Sequence, residues 1–459
     1  MSKSTPKVTP TLTQPGAAKP QPAFLAEVWQ LIVLATPIIV ALAAAVLIGV
    51  VDTIMIAPLG TKALAGASIA ASIIVIFYSA LYGLVSVCGV LIAQAFGADN
   101  DDAVAVTVKA SMVVSFLGGL VAALLMLAAL PLLPFLGQPQ DVLAIIRPYW
   151  LAMSLVLIPF SMFYALKGLF DATDRAWLGV VFSFVAVIIN IPFNWVLIHG
   201  IGTWNGLGLL GAGLASLLAQ TVSLLVAVAY WRFSNAMAAY RSTTPIKRAD
   251  MTIQFREGSP LALGYAGEGG AFAVAGLMLG LFGASALAAN QIVGSVSAVL
   301  YMVPLGMSAA VAIRIGQAIG GQNGHRLRTI GLAALATVVV WMAAVMVLLF
   351  IFGDDIAAAL SDEPTVIALA ATMFLIFAAM QIADGIQATA LGALRGMLDN
   401  RWPVIATLIC YWIVALPLAY GLGVPLQIGP NGIWIGYGIG LVLASIVLVG
   451  RFWVKSRQP

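Results

Sequence analysis

Only 8% of the 459 residues are charged and 62% are hydrophobic, against about 25% charge in soluble globular chains. This excludes a soluble globular domain and points to a chain that lies mostly in lipid. A formal net charge of +4 gives no basis for nucleic-acid binding, and none is expected.

Residues 1–23 are rich in Pro, Thr, Gln and Lys and predict a disordered cytoplasmic tail. The apolar run that follows is too long for the core of a secretory signal. Twelve helix-length apolar runs come in order: 27–57, 67–96, 104–131, 142–166, 176–199, 207–231, 258–282, 286–318, 329–353, 364–393, 402–423 and 432–453. Each can cross a hydrocarbon core of about 30 Å. Helices are the expected form, because a segment in lipid must satisfy its own backbone hydrogen bonds. Cys88 in the second run and Cys410 in the eleventh are expected to be buried free thiols.

Span one holds Asp52, span seven Glu268 and span ten Asp384. The other fourteen of the seventeen acidic residues are assigned to tails, loops or helix ends, and no Lys or Arg is expected at matching depth. An intramembrane carboxylate is costly unless a proton or a cation neutralises it. The three acids are therefore candidate sites for protons, Na⁺ or organic cations.

Glu268 follows Glu257 by eleven residues and Asp384 precedes Arg395 by eleven. Both then lie roughly 16 Å from the cytoplasmic charges, near midplane. At equal depth they can share one proton or one cation; two separate protonated acids, each hydrogen-bonded to a neighbouring helix, are the alternative. Asn190 and Asn194 in span five share one helix face, with Pro192 between them removing a backbone donor. Together with Asp52 and a hydroxyl such as Ser216 in span six, they form an oxygen-rich set suited to Na⁺. Interhelical hydrogen bonding is the other reading of the asparagines.

An even number of spans places both termini on one side. Nineteen of the 21 basic residues then fall on that side, including Lys167 and Arg395 as loop residues and Lys109 and Arg314 at helix ends. Only Lys62 and Arg147 remain outside. The positive-inside rule makes that side the cytoplasm. The longest polar connection, 233–257, separates an N-lobe at 24–232 from a C-lobe at 258–459.

The halves echo each other. Tyr78 matches Tyr301, Gly83 matches Gly306, Gln94 matches Gln317, Gly97 matches Gly320 and Asn100 matches Asn323, always 223 residues apart. Lys167-Gly-Leu-Phe-Asp171 is echoed by Arg395-Gly-Met-Leu-Asp399. Parallel repeats of this kind are a recurring transporter plan, with the substrate site between the halves.

Val51-Asp-Thr-Ile-Met55, Asn190-Ile-Pro-Phe-Asn-Trp195, Gly267-Glu268, Ile313-Arg-Ile-Gly316 and Gln381-Ile-Ala-Asp384, the last followed by Leu394-Arg-Gly396, fall in that order along the spans. In this they resemble the NorM-like branch of the multidrug and toxic compound extrusion (MATE) family. The resemblance implies an all-α membrane protein of twelve helices in two pseudo-symmetric six-helix lobes. It implies export of cationic amphipathic molecules against inward Na⁺ or H⁺, in a bacterial cytoplasmic (inner) membrane. No cofactor beyond the coupling ion, no enzymatic activity and a functional monomer are expected. The resemblance also supports Asp52, Asn190 and Asn194 as cation or proton ligands, with Ser216 the weakest member. In some sodium-coupled relatives an aromatic on span eight holds the cation. Here the early part of that span carries Asn290, Gln291 and Ser295, which leaves Na⁺ and H⁺ open. Tyr265 and Tyr301 are the available substitutes, with core packing the default for both. Met278, Met302, Met307, Met373 and Met380 could line an adaptable cavity, although apolar packing is the default.

Two alternatives have distinct signatures. A lipid-linked oligosaccharide flippase would line its cavity with bases for a pyrophosphate group. An intramembrane aspartyl protease would carry a Gly-x-Gly-Asp pattern, whereas Gln381-Ile-Ala precedes Asp384.

Overall fold

A computed structural model describes residues 24–136 and 140–457; the expected tail at 1–23 lies outside them. Twelve long apolar helices account for nearly all of the described chain. In the first half these are α1 (Phe24–Leu59), α2 (Thr61–Gly97), α3 (Asp101–Ala128), α4 (Val142–Ala172), α5 (Ala176–His199) and α6 (Leu209–Phe233). In the second they are α7 (Arg248–Phe282), α8 (Ala284–Gly320), α9 (Gly324–Leu360), α10 (Pro364–Gly396), α11 (Arg401–Gly423) and α12 (Pro430–Lys455). Among the described residues there is no β-strand, only an isolated bridge between Ile201 and Trp204.

The repeat is visible in the packing. In the first half α4 packs on α2, α3 and α6; in the second α10 packs on α8, α9 and α12. The α1–α2 and α7–α8 turns pivot on Gly60 (φ +96°) and Gly283 (φ +98°), again 223 positions apart. Both adopt a backbone that side chains rarely tolerate. Between the halves, α2 lies on α7 and α8, and α1 lies on α8. Where α2 and α8 end, a side chain at Gly97 would collide with the Gln317 carbonyl, and one at Gly320 with the Gln94 carbonyl. These glycines let the two backbones touch across the pseudo-twofold axis.

The structure corrects two assignments. Span seven begins at Arg248, ten residues before the apolar run, because the Asp250 carboxylate accepts the Lys247 N–H at 2.8 Å and caps a polar first turn. The connection before it is tied to the first half. Lys109 on α3 donates to the carbonyls of Ser242 (2.8 Å) and Thr244 (2.6 Å). Lys167 and Arg395 are not loop residues either. Both sit within helices and are buried, Lys167 by pairing with Asp171 at 2.6 Å and Arg395 by donating to Tyr265 and the Ser308 carbonyl. Hydropathy alone reads a long basic side chain as a boundary, although a partner in the fold can hold it inside.

Candidate functional site

On the N-lobe, Asp52, Asn190, Asn194 and Ser216 come together from α1, α5 and α6. Asp52 Oδ1 accepts Nδ2 of Asn190 at 3.1 Å and of Asn194 at 2.6 Å, while Oδ2 accepts the Ser216 hydroxyl at 2.8 Å. Asn194 Nδ2 also donates to Asn190 Oδ1 at 2.9 Å, one helical turn away. Both asparagines are fully buried, and Asn194 Oδ1 is a buried acceptor without a partner. With the amides oriented this way, the donors satisfy an ionised carboxylate. Turned over, the same amides would add two oxygens to those of Asp52 and Ser216, a set chemically suited to Na⁺.

On the C-lobe, Glu268 on α7 and Asp384 on α10 line the same cavity as Tyr301 and Tyr437, and the Tyr411 ring stacks on Tyr437. Tyr411 sits in a π-helical stretch of α11, Ile409–Ala415. Pro417 just beyond it lacks an N–H, which removes a regular helical bond and favours the wider turn. The Trp412 indole N–H donates to the Gly267 carbonyl at 3.0 Å, pinning α11 beside the residue that precedes Glu268.

All three carboxylates line one cavity of about 820 Å³ between the halves. The sequence separates them into two sites; the fold opens both onto a common space. Tyr265 and Tyr301, assigned to core packing, are on its wall, as are Met302 and Met380. Met307 and Met373 are buried in the core and Met278 packs against it. No Lys or Arg is among the described lining residues, and no ion pair among the described residues reaches Asp52, Glu268 or Asp384.

Three further acids outside this cavity are buried, which nothing local in the sequence signals: Glu27 in the first turn of α1 and Asp171 in the last turn of α4, both at helix ends, and Glu257 within α7. Glu27 is the clearest case, being already three residues inside the first helix. Its partners lie some 290 positions away in the chain, so no local pattern marks them.

Twelve spanning helices, an internal parallel repeat and an acidic cavity between the halves define a secondary transporter. The MatE family profile matches residues 37–196 and 260–421. A probable multidrug resistance protein NorM of Bradyrhizobium diazoefficiens is 32% identical over 460 residues, covering 97% of each chain. Another of that name, from Pseudomonas aeruginosa, is 32% identical over 447 residues, covering 94% of this chain and 91% of its own. The crystal structure of a eukaryotic MATE transporter, AtDTX14, superposes with a TM-score of 0.86 at 23% identity, over 95% of this chain and 98% of that one. A MOP-superfamily transporter from Pyrococcus furiosus, described as having a binding pocket of reverse polarity, gives 0.85 at 18% identity, over 94% and 96% of the two chains. This chain belongs to the MatE family.

Proposed function

We propose that this protein is a multidrug efflux antiporter that exports amphipathic organic cations in exchange for inward Na⁺ or H⁺. One observation carries the substrate class: among the described residues, three carboxylates and no base line a single aromatic-walled cavity between the halves. A cation entering it gains charge attraction in a space of low polarity, and aromatic faces add cation–π and apolar contact without fixing one ligand shape. The fold by itself does not choose the sign of the cargo, since the Pyrococcus furiosus transporter shares it and is described as having the reverse polarity. The acids choose it, and the lack of bases among the described lining residues weighs against a pyrophosphate-carrying flippase.

In this reading 24–232 and 258–459 move as two lobes joined by 233–257, and the face carrying both termini is cytoplasmic. The cavity is then accessible from outside while the helix ends beneath it are closed. Asp52 with Asn190, Asn194 and Ser216 forms one coupling site, and Glu268 with Asp384 the other. An arriving Na⁺ or H⁺ neutralises carboxylates that the drug cation needs, so the drug leaves to the outside. The protein acts as a carrier, with no bond made or broken, and one cavity per chain suffices for a monomer.

Linkage makes the exchange measurable: whatever factor the ion takes from drug affinity, the drug must take from ion affinity, typically about 5- to 150-fold. Titrating a fluorescent cation against Na⁺ and against pH should show this antagonism in the purified wild-type protein. Glu268→Gln should shrink the factor towards unity while retaining part of the drug binding. Drug affinity independent of both ions would rule out direct competition. For orientation, a reporter that matures only in the cytoplasm, fused after Pro459, should give signal; activity of a periplasmic reporter there would reverse the sidedness.

A further inference from the structure

Beneath the large cavity, on the face that carries both termini, polar side chains bond across from one half of the chain to the other. Glu27 on α1 has no exposed surface. Its carboxylate is taken by two arginines of the second half. Arg314 on α8 donates to Oε2 at 3.1 Å; Arg326, at the start of α9, donates to Oε1 through Nε at 3.1 Å and again through Nη2. Arg314 also reaches Gln30 on α1. Gln94 and Gln317, equivalent in the repeat, add a reciprocal pair of bonds. Gln94 on α2 donates to the Gly396 carbonyl at the end of α10 (3.3 Å), and Gln317 on α8 to the Ala172 carbonyl at the end of α4 (3.0 Å). Each glutamine thus satisfies a helix-terminal carbonyl in the opposite half, a group that has no partner within its own helix. Gly97 and Gly320 bring the two backbones close enough for this.

Such a set of contacts is out of place in a static interface. A buried carboxylate held by two arginines contributes little net stability compared with apolar packing, yet losing either side of the pair leaves an unpaired buried charge. The contacts therefore favour one relative position of the two halves strongly and alternatives poorly. That is what a two-state element requires. Water entering between the halves would hydrate Glu27 and the arginines separately, so the open state need not carry an unsatisfied charge.

We propose that Glu27, Arg314 and Arg326, with the Gln94 and Gln317 pair, form the latch that holds the terminal face shut while the cavity is open on the other side, and that releasing it is a step of the transport cycle. None of these residues lines the large cavity, so they act on the position of the lobes and touch neither drug nor coupling ion. The proposal rests on the alternating-access reading above.

Accessibility of the closed interface tests it. Ala312 on α8 is buried and faces a small cavity of about 50 Å³ shared with Lys167, Asp171 and Arg395. Ala312→Cys, in a full-length background with Cys88→Ser and Cys410→Ser, supplies one thiol there. A membrane-impermeant maleimide would be applied separately to right-side-out and inverted vesicles, with ethidium efflux measured in parallel. Glu27→Gln, which keeps the shape and removes the charge, should raise labelling from the terminal face about tenfold or more and slow efflux. Arg314→Gln removes one of the two arginines and should act in the same direction, and adding it to Glu27→Gln should change little, since the carboxylate it served is already gone. Gln94→Ala removes a single amide and should give a smaller rise in the same direction, which keeps the test open if a charge variant fails to fold. Unchanged labelling in folded Glu27→Gln and Gln94→Ala, with efflux intact, would overturn the latch. The arms separate the two ideas. Increased labelling without ethidium efflux in any variant or the parent would retain the latch and remove the drug-export reading. Increased labelling from the external face would retain the latch and reverse the orientation.

Discussion

Replacing Asp384 by Asn should abolish ion-driven drug efflux while leaving the folded protein at least as stable as the parent. Asp384 lines the cavity beside Glu268, without an ion-pair partner among the described residues. An amide keeps the size of the side chain but can carry neither the negative charge nor the exchangeable proton. Drug and coupling ion then lose the group for which they compete, and their coupling factor, typically about 5- to 150-fold, should approach unity. Because the parent carboxylate has no fixed counter-charge, neutralising it removes a desolvation cost and breaks no salt bridge. Efflux in resistant cells should fall to the level of cells without the protein, with undiminished expression and an unfolding temperature equal to or above the parent's. Continued ion-driven efflux at normal expression would show that Asp384 is not part of the coupling machinery.

Asp52→Asn should also impair efflux, but with the opposite effect on stability. Here the carboxylate accepts from Asn190, Asn194 and Ser216, and an asparagine offers one acceptor in place of two. At least one buried donor loses its partner, at about 1–3 kcal/mol. The variant should unfold at a lower temperature than the parent, whereas Asp384→Asn should not. Asn194→Ala separates ligation from packing: it should weaken the dependence of transport on the coupling ion more than it weakens drug affinity. Equal loss of both would mean that the asparagines only join α5 to α1. Thermal unfolding in detergent, together with efflux under imposed Na⁺ and pH gradients, reads all three variants.

The sequence separates Asp52, with Asn190, Asn194 and Ser216, from Asp384, with Glu268; the opposite stability effects follow only from the hydrogen bonds the fold gives Asp52. The two environments differ because helices distant in the chain deliver different side chains to each. The pairing of Asn190 and Asn194 was readable, since positions four apart share a helix face whatever the tertiary fold. That both bond Asp52 on α1 came from the fold, and it is compatible with either reading of the asparagines, ligation or interhelical hydrogen bonding. Tyr301, open between a cation-site substitute and core packing, lies on the cavity wall; an aromatic in an apolar helix carries no sign of which face meets a cavity.

Spanning helices, their number and the repeat were determined by the sequence itself, because lipid imposes a local rule. Each segment must be long and apolar enough to cross and must satisfy its own backbone, and both conditions are met or failed within about twenty residues. The rule's errors came where a basic residue was kept inside by a partner, one helical turn away for Lys167 and distant in the chain for Arg395. Only the tertiary structure decided that three acids from two halves share one cavity and that Glu27 meets Arg314 and Arg326 across the lobe boundary. Those outcomes depend on how α1, α7, α8 and α10 pack. In lipid that packing is set by close backbone approach at small residues and by the few polar side chains that find each other, and neither leaves a periodic trace along the chain.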